Sequence, residues 1–162
     1  MLSILADVVR RTRQHHAIEH ASIHMLAARL PDRYFAGYSD PLGFTLYGAA
    51  TEEEVRRAVG DALLRLQAGE RQLAIHPNCG TNLLTAGVAA VAASMAGSAL
   101  VRGRLERFTV SLALVLVALV ASRALGYRLQ EITTLADVGD RWVAEIFSLH
   151  IGNVPAYRVL FD

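Results

Sequence analysis

The chain has 162 residues, of which 53% are hydrophobic, and 16 basic against 15 acidic residues give a formal net charge of +1. This length allows one domain with a sizeable core, and the small net charge gives no electrostatic basis for binding nucleic acid. The single cysteine, Cys79, excludes an internal disulfide framework. The first residues lack a basic segment before their apolar run, so a cleaved signal peptide is not expected.

A helical pattern runs from Ser3 to about Leu30, as one helix or as two broken near residues 12–15. It contains the sequence His-Ala-Ile-Glu-His from His16 to His20, an H-x-x-E-H motif. Because positions i and i+4 share a helix face, His16 and His20 can bind one ion, with Glu19 in the same region. This is the spacing of inverted zincins, in which the glutamate takes a proton from zinc-activated water. The alternative is a solvated pair of surface histidines.

The middle of the chain has the signals of a small α/β unit. Turn residues between two aromatic-rich runs predict a hairpin, a capping box predicts the next helix, and a short apolar run predicts a strand. The expected elements are strands near 35–38 and 43–47, a helix from the Thr51 cap with Glu54 to Gly69, and a strand over 72–76.

A third metal ligand is required, because two histidines leave a zinc site incomplete. The segment His-Pro-Asn-Cys-Gly-Thr from His76 to Thr81 offers two. His76 is the first choice and Cys79 the second, while a simple turn with a buried cysteine is the structural alternative. Asn78, with backbone amides near the next helix start, is a candidate oxyanion donor. If Cys79 is a fourth ligand, the site is closed and structural.

Two uncharged runs, 83–101 and 108–122, follow, and the second extends to Tyr127 if Arg123 snorkels. The first run is long enough to cross a bilayer core of about 30 Å, and the second is long enough only with that extension, so the sequence predicts a transmembrane helical hairpin and the lipid bilayer as a partner. A small-residue surface formed by Gly87, Val91, Ser94 and Gly97 with their alanine neighbours suits close helix packing, including packing in a homo-oligomer. The alternative is a soluble helical hairpin buried in an oligomer.

The tail is expected to form an amphipathic helix over 129–147 and a strand over 154–161 that returns to the sheet. The fold class is therefore α+β, with an N-terminal histidine-bearing helix, a hairpin-helix-strand unit, the transmembrane hairpin, and a C-terminal helix and strand. The predicted parts of this one integrated domain are 1–82, 83–127 and 128–162.

Three motifs occur in order: H-x-x-E-H at His16, H-P-N-C-G-T at His76 and L-Q-E-I-T-T at Leu129. In this combination the chain resembles the YqhQ-like family of bacterial membrane proteins, and within it a compact branch with H-H-A-I-E-H-A and H-P-N-C-G-T-N motifs. Asn78 departs from the larger family, which has arginine at that place. The resemblance implies an integral protein of the bacterial inner membrane with a shared polar site, and it implies no established reaction.

The leading hypothesis is a membrane-embedded metal-dependent hydrolase, such as a metalloprotease acting on peptides. Zn²⁺ would bind His16, His20 and His76, with Glu19 as the general base. A second hypothesis is a non-catalytic membrane module that binds a divalent metal or haem. A third is thiol chemistry, with Cys79 near a helix N-terminus and His76 as its base. The residual alternative is an assembly role without metal.

Overall fold

The computed structural model of the chain describes residues 2–162. The α+β class is confirmed, and the described chain divides into two compact units. One unit runs up to His76 and resumes over Ile132–Asp162, and the other is Pro77–Glu131. The predicted division at residues 82 and 127 stays a prediction. The elements are α1 (Leu2–Arg29), β1 (Ala36–Asp40), β2 (Gly43–Tyr47), α2 (Glu52–Gln67), a 3-10 turn (Arg71–Ala74), α3 (Gly80–Leu100), α4 (Arg104–Thr133), β3 (Val143–Ile151) and β4 (Val154–Phe161).

The N-terminal segment is one unbroken helix, α1, and not two. Its apolar residues recur at helical spacing, and Pro31 prevents a further turn because proline lacks the backbone donor and clashes with the preceding turn. Ile18 and Leu26 are completely buried on the inner face of α1. The same helix that carries the histidines is therefore a main contributor to the core.

The predicted hairpin and capping box are confirmed. Asp40 closes the β1–β2 turn, since its carboxylate accepts from the backbone amides of Leu42 at 2.8 Å and Gly43 at 3.1 Å. The Glu54 carboxylate accepts from the Thr51 backbone amide at 2.7 Å, and the Thr51 hydroxyl accepts from the Glu54 amide at 3.2 Å. This reciprocal pair satisfies two donors at the start of α2.

The first unit is a four-stranded antiparallel sheet in the order β1-β2-β4-β3. Helices α1 and α2 form one hydrophobic core with the sheet. Their apolar side chains and those of the strands bury one another. This core includes Ile18, Leu26, Phe44, Leu46, Val55, Val59, Leu63, Val138 and Val159.

The predicted strand over 72–76 is wrong. Arg71–Ala74 is a 3-10 turn, in which the amide of Leu73 donates to the Glu70 carbonyl at 3.1 Å. Ile75 then adopts an extended backbone. The carbonyls that follow the turn accept from histidine rings of α1 instead of from a neighbouring strand.

The helix predicted over 129–147 is also wrong. Helix α4 ends at Thr133, and the amide of Leu135 donates to the Arg13 carbonyl of α1 instead of continuing the helix. Val143–Ile151 forms β3 and pairs with β4 along its length. Its β-branched and aromatic residues suit a strand, and the pairing partner lies across the Gly152 turn. The predicted closing strand is confirmed as β4, Val154–Phe161.

The second unit contains the apolar helices α3 and α4. Both are long and apolar enough to span a membrane, α3 with 21 residues and α4 with 30. The helices pack closely where a Cβ at Gly97 would lie 2.6 Å from the Ser111 Cα, and the Ser111 hydroxyl donates to the Ser94 carbonyl at 3.2 Å. A small-residue contact between the two helices is thus present at Gly97 and Ser94, whereas a Cβ at Gly87 would meet no atom of the described chain within 4 Å.

Candidate metal centre

Helix α1 presents three histidines on one stripe. His16, His20 and His24 are each four residues apart, so they follow one another along a single face. His20 is 2% exposed, while His16 and His24 are partly buried. The predicted i, i+4 pair therefore faces the protein and is not a solvated surface pair.

The ring of His76 joins this stripe. Ring centres are 4.3 Å apart for His16 and His20, 5.7 Å for His20 and His76, and 4.8 Å for His24 and His76. Two imidazoles on one tetrahedral zinc have ring centres roughly 5 Å apart, given Zn–N distances of about 2.1 Å. The first unit thus brings together two residues of the H-x-x-E-H motif and a histidine 56 positions further along the chain.

Backbone carbonyls fix the tautomers of the predicted ligands. The Nδ1 of His20 donates to the Ala74 carbonyl at 2.6 Å, and the Nδ1 of His16 donates to the Thr133 carbonyl at 3.2 Å. A carbonyl oxygen only accepts, so in the neutral ring each Nδ1 carries the proton and each Nε2 carries the lone pair. Histidines that bind metals commonly donate their other ring N–H in this way, which orients the ring and raises its basicity.

His24 and His76 complete the row in a different manner. The Nε2 of His24 donates to the Ile75 carbonyl at 2.8 Å, so its lone pair lies on Nδ1. His76 is 8% exposed, and burial together with the nearby His24 and His20 lowers the pKa of His76 to about 4. His76 is therefore neutral near pH 7, the state in which an imidazole binds a metal.

Glu19 lies beneath the edge strand β1. The carboxylate is 4% exposed and accepts from the Ser39 hydroxyl at 2.5 Å. Burial raises the pKa of Glu19, while the Ser39 hydrogen bond and the charge of His16 act in the opposite direction. Gly37 leaves the space that the carboxylate fills, because a Cβ there would overlap Glu19. The predicted general base is thus a buried acid with a raised pKa beside a predicted ligand.

The other two histidines have different surroundings. His15 is 1% exposed, donates from Nδ1 to the Asp40 carbonyl at 2.8 Å and stacks on Phe161 with ring centres 4.9 Å apart. Burial is the main cause of the lowered pKa of His15. His150 is exposed on β3, where it pairs in register with Pro155. His15 is a core residue of the first unit, and His150 provides an exposed histidine for comparison.

The remaining predicted site residues begin the second unit. Cys79 is the N-cap of α3, and its sulfur accepts from the Thr81 amide at 3.4 Å. Asn78 directly precedes it and is exposed. The Asn82 side chain donates to the Pro77 carbonyl at 2.8 Å and accepts from Gln130 at 2.8 Å. Asn82 therefore joins the start of α3 to α4 within this unit.

Two residues that contact the predicted site residues, His24 and Ser39, were not predicted from the sequence. His24 extends the i, i+4 series from His20, and that repeat was a usable signal. Ser39 carried no such signal, because it lies in a turn-like segment 20 residues from the Glu19 that it contacts. Ser39 reaches Glu19 because α1 packs against β1.

Comparisons with known proteins give a family and no activity. Residues 11–146 match the model of a family described as a domain of unknown function, DUF6391. An uncharacterised protein of Picosynechococcus sp. is 43% identical over 96 residues, which cover 50% of this chain and 46% of that protein. The chain thus spans about half the length of the curated relative it matches. No solved structure matches the chain.

Proposed function

This chain belongs to the DUF6391 family, whose function is unknown, and we propose that it is a membrane-embedded metal-dependent hydrolase. One observation carries the proposal. Two helix-borne histidines, His16 and His20, each donate one ring nitrogen to a backbone carbonyl, so both Nε2 atoms carry lone pairs. Their ring centres are 4.3 Å apart. Pairs of rings oriented in this way are typical of metal ligands, and burying such polar rings in an apolar core costs free energy.

The donor set that we propose for zinc consists of His16, His20 and a third ligand from the segment His76–Thr81, which offers His76 and Cys79. Imidazole and thiolate are both preferred zinc ligands. Cys79 follows His76 by three residues, so chain connectivity alone keeps their Cα atoms within about 11 Å. His76 is the first choice for that third ligand, because its neutral ring lies beside that of His20, and Cys79 is the second. We also propose that the bound metal is Zn²⁺.

The hydrolytic role depends on Glu19. Zinc held by three protein ligands keeps a fourth position for water and lowers the pKa of that water to about 7. Burial raises the pKa of Glu19, which makes its carboxylate a stronger base than an exposed one. Ser39 holds the Glu19 carboxylate in one orientation through its hydroxyl. Asn78 is the proposed side-chain donor to a developing oxyanion, and the substrate class that we propose is a peptide.

The membrane part of the proposal depends on α3 and α4, which have the length and apolarity of spanning helices. Both helices carry apolar side chains that are more than 60% exposed, among them Val88, Met95, Val117 and Val120. Lipid would remove this surface from water. We therefore place the protein in the bacterial inner membrane, with the small-residue surfaces of these helices available for self-association.

Metal analysis of the purified full chain in detergent is the first test. The wild type should contain about one zinc per chain, because the three-ligand site holds one ion. Both His16→Ala and His76→Ala should lose most of it. His150→Ala is the matched control, since it removes an exposed histidine from β3 and should retain the metal. Equal zinc in His16→Ala and His150→Ala would contradict the site.

Activity then separates an enzyme from a structural centre. A mixture of quenched fluorescent peptides should be cleaved by the wild type, and a chelator should stop cleavage. Glu19→Gln should keep the zinc and lose at least a hundredfold in rate, the usual scale for removing a general base. Stoichiometric zinc without cleavage, together with zinc loss in both His76→Ala and Cys79→Ser, would instead indicate a closed four-ligand structural site. Haem absorbance in the purified protein would support the haem-binding alternative.

A further inference from the structure

The first turns of α1 project from the core of the first unit. Every side chain over residues 3–10 is exposed, and complete burial begins only at Gln14. This exposed length is about 12 Å, at 1.5 Å per residue. This segment continues the buried part of α1, so its helix is already nucleated, and Arg10 forms an ion pair with Asp140 at 2.9 Å. What the segment leaves uncovered is its apolar side chains.

The exposed turns have a sharply divided surface. Four aliphatic residues are 69%, 60%, 37% and 49% exposed, namely Ile4, Leu5, Val8 and Val9. At about 100° per residue they fall within an arc of about 140°. Thr12 lies inside this arc, but its hydroxyl donates to the Val8 carbonyl and is thereby satisfied within the helix. The arc is a continuous apolar face.

Positive charge borders that face on both sides. Arg11 lies about 20° beyond Ile4, and Arg13 about 40° beyond Val9. Arg11 also forms an ion pair with Asp7 at 2.9 Å, and Arg13 donates from one guanidinium nitrogen to the Thr134 carbonyl at 3.2 Å. Residues 3–13 contain three arginines and one aspartate, Asp7, so the segment carries a formal charge of +2. Arginine stems can lie along apolar surface while their guanidinium groups reach water or phosphate. The geometry is that of a helix lying in a lipid interface, with arginines at the headgroups.

We propose that residues 3–13 of α1 form an interfacial helix that binds the surface of a bilayer containing anionic phospholipid. The evidence comes from the first unit alone: an exposed aliphatic arc bordered by arginines on an exposed stretch of helix. The two apolar helices of the second unit belong to the same chain, so a bilayer would be available to this helix. The role is independent of the proposed metal centre and of its reaction.

Tryptophan placed on each face of this helix tests the proposal. Trp142 is the chain's only tryptophan, so Trp142→Phe gives a full-length protein without tryptophan fluorescence. Leu5→Trp lies on the apolar arc, and Ala6→Trp is its matched control one residue along and about 100° around the helix. Both variants are reconstituted in vesicles of phosphatidylcholine and phosphatidylglycerol, with and without bromine on the shallow acyl carbons.

We expect bromolipid to quench Leu5→Trp at least threefold more than Ala6→Trp, with blue-shifted emission from Leu5→Trp only. Replacing phosphatidylglycerol by phosphatidylcholine should reduce the Leu5→Trp quenching at least twofold, because the bordering arginines lose their anionic partners. Equal quenching of the two variants would overturn the proposal. Blue-shifted Leu5→Trp emission without quenching would also overturn it, since a protein surface, such as a second copy of the chain, would then cover the face. Quenching that is unchanged without phosphatidylglycerol would refute the preference for anionic lipid.

Discussion

The contact between Gly37 and Glu19 gives the sharpest test of how the site is built. A Cβ at Gly37 would lie 2.6 Å from Cγ and 2.5 Å from Cδ of Glu19, so Gly37→Ala must displace this 4% exposed side chain. Displacement breaks the hydrogen bond from Ser39. Loss of such a bond to a charged group costs about 2 kcal/mol. For a chain of this size that corresponds to a fall in Tm of about 4–8 °C.

The assay is thermal unfolding of the full chain in detergent, followed by far-ultraviolet circular dichroism. Glu19→Ala removes the obstructing atoms, so Gly37→Ala should cost almost nothing in that background, and the two changes should be non-additive. Gly60→Ala is the control, because a Cβ there meets no atom of the described chain within 4 Å. It should stabilise α2 by about 0.5–1 kcal/mol. The same Tm loss from Gly37→Ala in both backgrounds, or no loss in either, would refute the reasoning.

Two further predictions concern charge and helix packing. Burial disfavours ionised Asp140, but hydrogen bonds from Arg141 and Gln14 and the charge of Arg10 outweigh it and lower its pKa to about 2. A depressed folded-state pKa contributes stability above the unfolded value of about 4, and that stability is lost as pH falls toward 2. The Tm difference between wild type and Asp140→Asn should therefore shrink over that range, and a constant difference would contradict this assignment. In the second unit, Gly97→Val should destabilise by about 1–3 kcal/mol through overpacking against Ser111. Gly87→Val should be tolerated, because a Cβ there meets nothing within 4 Å in the described chain; similar Tm losses would argue against close packing at Gly97.

Features that depend on neighbouring residues could be predicted from the sequence. The capping box of Thr51 and Glu54 involves positions three apart, and the β1–β2 turn depends on the Asp40 side chain and the next three residues. The apolar runs predicted α3 and α4 by length and composition alone. The shared face of His16 and His20 follows from helix geometry, which fixes where positions i and i+4 point.

Tertiary contacts decided the remainder. Residues 143–147 suit either an amphipathic helix or a strand by pattern, and pairing with β4 across the Gly152 turn selects the strand. The carbonyls of Ala74 and Ile75 accept hydrogen bonds from His20 and His24 of α1, and the strand expected at 72–76 does not form. The sequence alone thus determined which side chains one helix presents together. Only the folded chain decided that His76 joins their row and that Ser39 orients Glu19, because those contacts span tens of residues and depend on core packing that no local pattern encodes.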